Sequence, residues 1–138
     1  MASKDFIYAF MNSCPLMVIS SLNETGRPQS AVVGFGQTKD LQIIFGTSEE
    51  SRKAQNIMQN ASVSIVIGWQ DKSIQLEGRA RILSGDEETE YSEQYFHKNE
   101  TARKYKDEPH ERYFLVKPTW LRFTDTNASP WSVTELEF

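Results

Sequence analysis

Four consecutive residues, Ser51-Arg52-Lys53-Ala54, are the part of this chain best suited to chemistry, within the stretch Phe45–Asn60 (FGTSEESRKAQNIMQN). The stretch reads as the end of a strand, a short turn and a helix over Glu49–Gln59. The helix opens near Ser48, whose hydroxyl is placed to cap the first free backbone N–H groups. Arg52 and Lys53 then fall about one turn in, where the peptide dipoles sum to partial positive charge, so each cation is disfavoured by roughly 0.3–1 kcal/mol. A bound phosphate offsets that cost, because a helix N-terminus offers free N–H donors and arginine adds a two-pronged grip. Glu49 and Glu50 offer another account, in which they supply the negative charge and the cations simply face water. The local sequence leaves both open.

Other chemistries find little support. There is no G-x-S-x-G nucleophile turn and no G-x-x-x-x-G-K-[ST] phosphate loop. Cys14 is the single cysteine, which excludes an internal disulfide. His97 and His110 sit among charged residues rather than in a metal-ligand pattern. The acid pairs Glu49-Glu50 and Glu87-Glu88 read as solvated helix starts. Glu77, with Gln75, Arg79 and Arg81, reads as a wet strand face with cross-strand charges. Tyr91 and Tyr95 read as packing residues, and Trp69, Trp120 and Trp131 as core or interface aromatics.

The elements that must hold Arg52 and Lys53 follow from periodicity. At 138 residues, 38% hydrophobic and 25% charged, the chain is one ordinary globular domain over 1–138. Its net charge of −4 is scattered, with no basic stripe, which argues against nucleic-acid binding. The opening MASKDFIYAF lacks a cationic flank followed by a long apolar run, and no apolar stretch nears the ~20 residues that span a bilayer. A cytoplasmic protein with no membrane association is expected. Phe6, Ile7, Phe10 and Met11 predict a first helix over 3–12. Strands are expected at Leu16–Leu22, Gln29–Gln37 and Leu41–Thr47, with Gly34 and Gly36 marking a bulge or a close approach to the backbone. The helix after Phe45-Gly46-Thr47 is expected to bury Ala54, Ile57 and Met58. A hairpin follows over 62–69 and 73–83, with Ile74, Leu76, Gly78, Ala80 and Ile82 on its packed face. Then come a helix over 85–98, a loop or frayed helix to Glu111, strands at 112–117 and 119–125 joined through Pro118, and a last strand in WSVTELEF. The fold expected is mainly β with peripheral helices: a six- to eight-stranded antiparallel barrel, closed or half closed.

The order of these features resembles a known family. Phe45-Gly46-Thr47, Ser51-Arg52-Lys53-Ala54, Asn60-Ala61-Ser62-Val63-Ser64, and then Trp69, Gln75 and Gly78, are similar to the FMN-binding split-barrel family typified by pyridoxamine 5′-phosphate oxidases and small general-stress flavoproteins. The likeness is good over roughly residues 14–84, and T-x-x-x-S-R-K-A is its most specific element. The resemblance implies that Arg52 and Lys53 hold the FMN phosphate, with Ser51 and Thr47 adding hydrogen bonds. It implies that Ala31, Val32, Val33 and Gly34 lie along the isoalloxazine ring with Phe45 and Gly46 at the same wall. It also implies a homodimer, with Gln75 reaching the flavin from the partner subunit.

Departures from the family pattern are informative. Ala31 stands where the oxidases usually carry an arginine. The chain ends TELEF where they carry an R-L-x-P-type tail, and Tyr95-Phe96-His97, though similar to their substrate-side helix, is followed by no matching arginine. These differences argue against pyridoxamine 5′-phosphate oxidase activity and toward the general-stress branch, as an FMN-dependent oxidoreductase with a small-molecule substrate. Two alternatives stay open: a non-enzymatic flavin-binding or sensing module, and a related barrel holding another flavin-like cofactor or haem. Against haem, no histidine falls in an expected barrel strand. No catalytic acid or base stands out.

Overall fold

A computed structural model describes residues 1–138. Ser3 starts α1 (Lys4–Ser13), its Oγ accepting from the Phe6 amide at 3.1 Å. The apolar stripe divides on folding. Ile7 and Met11 are fully buried, while Phe6 and Phe10 meet the Phe123 ring edge-on. Cys14-Pro15 ends the helix, and β1 (Leu16–Leu22) and β2 (Pro28–Gly34) form a hairpin paired along its whole length.

The strand expected over Gln29–Gln37 is interrupted at Phe35, and β3 is only Gly36–Gln37. Phe35 turns inward and is fully buried, which is worth roughly 1.5–3 kcal/mol. Leu41 ends the next turn with φ 67°, a left-handed conformation that costs about 1–2 kcal/mol, offset by complete burial of its side chain. The third strand therefore starts two residues later than expected, as β4 (Ile43–Ser48).

The helix α2 (Arg52–Gln59) also starts later than expected. Ser48 is the last residue of β4, and its Oγ accepts only from the Glu50 amide. Ser51 is the cap, accepting from the Ala54 amide at 3.2 Å. The buried face also differs from the one expected: Ala54, Asn56 and Ile57 point inward, whereas Met58 is 48% exposed.

The second hairpin is β5 (Ser62–Ile67) and β6 (Lys72–Ile82), followed by α3 (Gly85–Lys98) and a 3-10 turn at Glu100–Tyr105. Ile82 is exposed and Leu83 takes the buried place beyond the strand end. The two strands expected around Pro118 are one, β7 (Glu111–Asp125). Its ladder with β6 shifts register between Glu77 and Gly78, so that Thr119 is bulged out and its Oγ1 donates to the Glu77 carbonyl at 3.1 Å. Pro118, with no N–H to give, occupies that bulge. The chain finishes in β8 (Ser132–Glu137), paired with the second half of β7.

The strand order is β2-β1-β5-β6-β7-β4-β3, with β8 beside β7. The first and last strands of this path are joined through Phe35 alone, so the sheet curls into an antiparallel half-barrel of eight strands. Its main core runs from Ile7 and Met11 through Phe35, Phe45 and Phe114 to Phe123. A smaller cluster, including Ile44, Tyr95, Phe96 and Tyr113, lies under α3. Where α3 crosses β3, a Cβ on Gly36 would sit 2.9 Å from Tyr95 Cα, so that glycine answers to helix packing. None of the tryptophans joins the core: Trp69 and Trp131 are exposed and Trp120 is half-exposed. No helix is long and apolar enough to cross a membrane.

Candidate functional site

Between the start of α2 and the middle of β2 lies a cavity of about 120 Å³, lined by Ser21, Gln29, Ser30, Ala31, Arg52 and Lys53. Three of the expected ligand residues, Ala31, Arg52 and Lys53, thus share one site. β2 pairs with β1 along one side and ends the strand path on the other, so backbone N–H and C=O groups are left unpaired along its free edge. The site combines an open strand edge with a cationic helix start.

The polar groups around the helix start keep donors free. Ser51 Oγ accepts from the Ala54 amide and from Thr47 Oγ1, both at 3.2 Å, which leaves its own O–H free to donate. The Arg52 and Lys53 amides, in the first turn, have no intrahelical acceptor. Asn56 braces the opposite wall, donating to Ser21 Oγ at 3.1 Å and Gln29 Oε1 at 3.0 Å.

Glu49 and Glu50 do not neutralise the two cations. Glu49 Oε1 meets His110 Nδ1 at 3.0 Å and its other oxygen meets Arg112 at 3.0 Å, while Glu50 lies 3.4 Å from His110 Nε2. The hydrogen bond from His110 holds the Glu49 carboxyl below its usual range, with Arg112 adding to it, and His110 is raised in return. Neither Arg52 nor Lys53 has a salt-bridge partner. Burial lowers the Lys53 pKa, opposed by the more distant Glu111 carboxylate. A phosphate dianion in the cavity supplies the missing charge and favours the protonated lysine, so the residues present fit such a group.

The remaining expected residues take different positions. Thr47 supports Ser51 from a buried position. Phe45 is fully buried and stacked on Phe114, 5.3 Å between centroids, so only its backbone can face a ligand. Gly46 is half-exposed, with Tyr113 and Glu111 over the place of a Cβ. Val33 packs against the main core, whereas Val32 is 62% exposed on the other face of β2. A Cβ on Gly34 would come 3.3 Å from Asn99 Oδ1. Gln75 does not line the cavity. It stands on the outer face of β6, between Val66 of β5 and Arg122 of β7. Ser21, Gln29 and Asn56 were not singled out by sequence. A polar Asn56 between Ala54 and Ile57, on the core-facing side of a helix, was the available signal.

These features define a split-barrel protein with a cationic pocket on an open strand edge. The chain belongs to the pyridoxamine 5′-phosphate oxidase family, whose family model matches residues 3–125. A pyridoxine/pyridoxamine 5′-phosphate oxidase of Shewanella halifaxensis is 38% identical over 77 residues, covering 54% of this chain and 36% of that relative. The matched stretch is thus little more than a third of the relative's length. Among solved structures, General Stress Protein 26 from Bacillus anthracis superposes with a TM-score of 0.77 at 18% identity, covering 98% of both chains. A heme binding protein from Mycobacterium smegmatis gives 0.80 at 14% identity, over 99% of this chain and 59% of that one. At such identities the two structures establish the fold alone.

Proposed function

We propose that this chain is a cytosolic FMN-binding protein that holds the FMN phosphate with Arg52 and Lys53 and the ring along residues 31–34 of β2. One observation carries the reading. Two cations at a helix start, left unpaired because their neighbouring glutamates are engaged with His110 and Arg112, line a cavity beside a free strand edge. Arg52 and Lys53 would hold the phosphate, the arginine with two donors and the lysine as a point charge, and the Ser51 hydroxyl and first-turn amides would donate to it. The unpaired backbone groups of β2 suit the polar edge of a flavin. Ala31 in place of an arginine leaves room and removes one anchor. Bound FMN supplies electron or hydride transfer; the chain supplies capture, orientation and exclusion of water.

Two copies are proposed to form the working unit, with Gln75 on the outer sheet face of one meeting the flavin of its partner. The exposed Val32 and Val66, with the half-buried Val18 between them as register neighbour of both, give that face an apolar centre for association. Haem is not favoured. His97 projects from α3 beside Lys98, and His110 is held by Glu49 and Glu50, so neither faces the cavity of Arg52.

The test is FMN titration followed by quenching of flavin fluorescence. Arg52→Ala with Lys53→Ala is expected to lose FMN while the circular dichroism of the fold is kept, since each charge-assisted phosphate contact is worth about 1.5–3 kcal/mol. Unchanged FMN affinity in the double variant contradicts the phosphate assignment.

A further inference from the structure

On the outer face of the sheet, Arg79 of β6 stands directly opposite Lys117 of β7. Like charges on directly opposed residues, with Cβ atoms about 4.5–5.5 Å apart, destabilise a sheet. Neither side chain has a salt bridge or a side-chain hydrogen bond to relieve the repulsion. The next cation on β6, Arg81, behaves differently, giving Glu87 two hydrogen bonds of 2.9 and 2.8 Å. Glu87 lies close enough to feel Lys117, but its carboxylate is held by Arg81. Glu77, two residues before Arg79 on the same face, makes no ion pair with it.

In the single chain the pair faces a hollow. A hollow of about 580 Å³ is lined by Arg79, Arg81, Lys117, Pro118, Thr119 and neighbouring alanines, with no carboxylate in its wall. Arg79 and Thr119 also line a second groove, of about 460 Å³, that runs across Ser64 and Ser20 to Ser21 and has the unpaired Glu77 as its one carboxylate. The bulge at Pro118–Thr119 makes the depression, and Gly78 permits it. A Cβ there would lie 2.5 Å from the Lys117 carbonyl oxygen. Fold geometry thus fixes two uncompensated cations side by side at the mouth of a hollow.

We propose that Arg79 and Lys117 form a second anion site, separate from the Arg52–Lys53 cavity, that takes a diphosphate-bearing small molecule. Two adjacent heads, one a flat fork and one a point charge, match two linked phosphoryl groups better than one carboxylate. The site stands independently of the flavin reading: the hollow that Arg79 and Lys117 line shares no residue with that cavity, and only the adjoining groove reaches its Ser21.

Inorganic pyrophosphate is the probe, titrated calorimetrically into the Arg52→Ala/Lys53→Ala protein, which lacks the other phosphate-binding cations. Binding is expected there, together with a rise in Tm. Adding Arg79→Gln and Lys117→Gln is expected to weaken it by at least about tenfold, the size of one lost charge-assisted hydrogen bond. The same two substitutions in the otherwise native chain are expected not to lower Tm without ligand, because repulsion is removed. Absence of binding in the first protein, including absence because carboxylates of a second copy cover the pair, overturns the proposal. So does an affinity unchanged by Arg79→Gln/Lys117→Gln.

Discussion

Asn56 Nδ2 donates to Gln29 Oε1 at 3.0 Å and so ties the buried side of α2 to the free-edge strand β2. The same amide holds Ser21 Oγ, making one polar brace behind the cavity that Arg52 and Lys53 line. Asn56→Leu keeps the branched shape, at a somewhat larger volume, and removes both donors. It is expected to cost about 1–3 kcal/mol, the penalty for leaving buried acceptors unpaired. Urea unfolding checks the value. FMN affinity is expected to fall as well, although the cations proposed to bind its phosphate are untouched. A variant with native stability contradicts the brace.

Two glycines separate packing from conformational need. A Cβ on Gly78 would press on backbone, 2.5 Å from the Lys117 carbonyl oxygen, whereas on Gly34 it would meet a side-chain oxygen, Asn99 Oδ1, at 3.3 Å. Gly78→Ala is therefore expected to cost about 1–3 kcal/mol as an overpacked site, and Gly34→Ala clearly less. Equal thermal shifts for the two would contradict the close approach of β6 and β7.

Lys98 links α3, α1 and the barrel closure. Its Nζ donates to the Met11 carbonyl at 3.0 Å and Gln37 Oε1 at 2.7 Å, and lies 3.5 Å from the centroid of the Phe35 ring. Burial lowers its pKa to about 8, with Cys14 acting in the opposite sense. Between that value and the ordinary lysine value the unfolded chain binds more protons, so the contribution of Lys98 to stability rises with pH. Lys98→Met removes this slope. The stability difference, native minus variant, is expected to grow from about pH 8 toward pH 10, where an ordinary lysine is still protonated. A flat difference contradicts the assignment.

His110 has the opposite sign. The Glu49 hydrogen bond raises it, Glu50 adds to that, and Arg112 opposes. A raised histidine stabilises the fold fully below its ordinary value, and the contribution is lost as pH rises through the raised one. His110→Gln is expected to lower Tm below about pH 6.5 and to leave it unchanged in alkali. The reverse order would contradict the arrangement that keeps Glu49 away from Arg52.

Much of the barrel was legible because strand alternation is a short-range signal. β1 and α3 have the bounds expected from apolar pattern and turn residues. What failed depends on distant partners. At the interruption, Asn99 at the end of α3 donates to the Phe35 carbonyl and α3 packs on Gly36, and the continuous β7 depends on a bulge beside Pro118. The start of α2 moved from Ser48 to Ser51 because β4 continues pairing with β7 as far as Ser48 opposite Glu111. At the site, Arg52 and Lys53 stood out by type, whereas the decision about Glu49 and Glu50 rested on His110 and Arg112, some sixty residues away in sequence. Local sequence contains neither partner.

The cofactor content of the purified protein tests most directly whether the cavity between β2 and α2 holds FMN. The expected result is a yellow protein whose flavin is released on denaturation and identified by mass as FMN, or an apoprotein that binds added FMN at micromolar concentration. A colourless protein that fails to bind FMN at that level contradicts it.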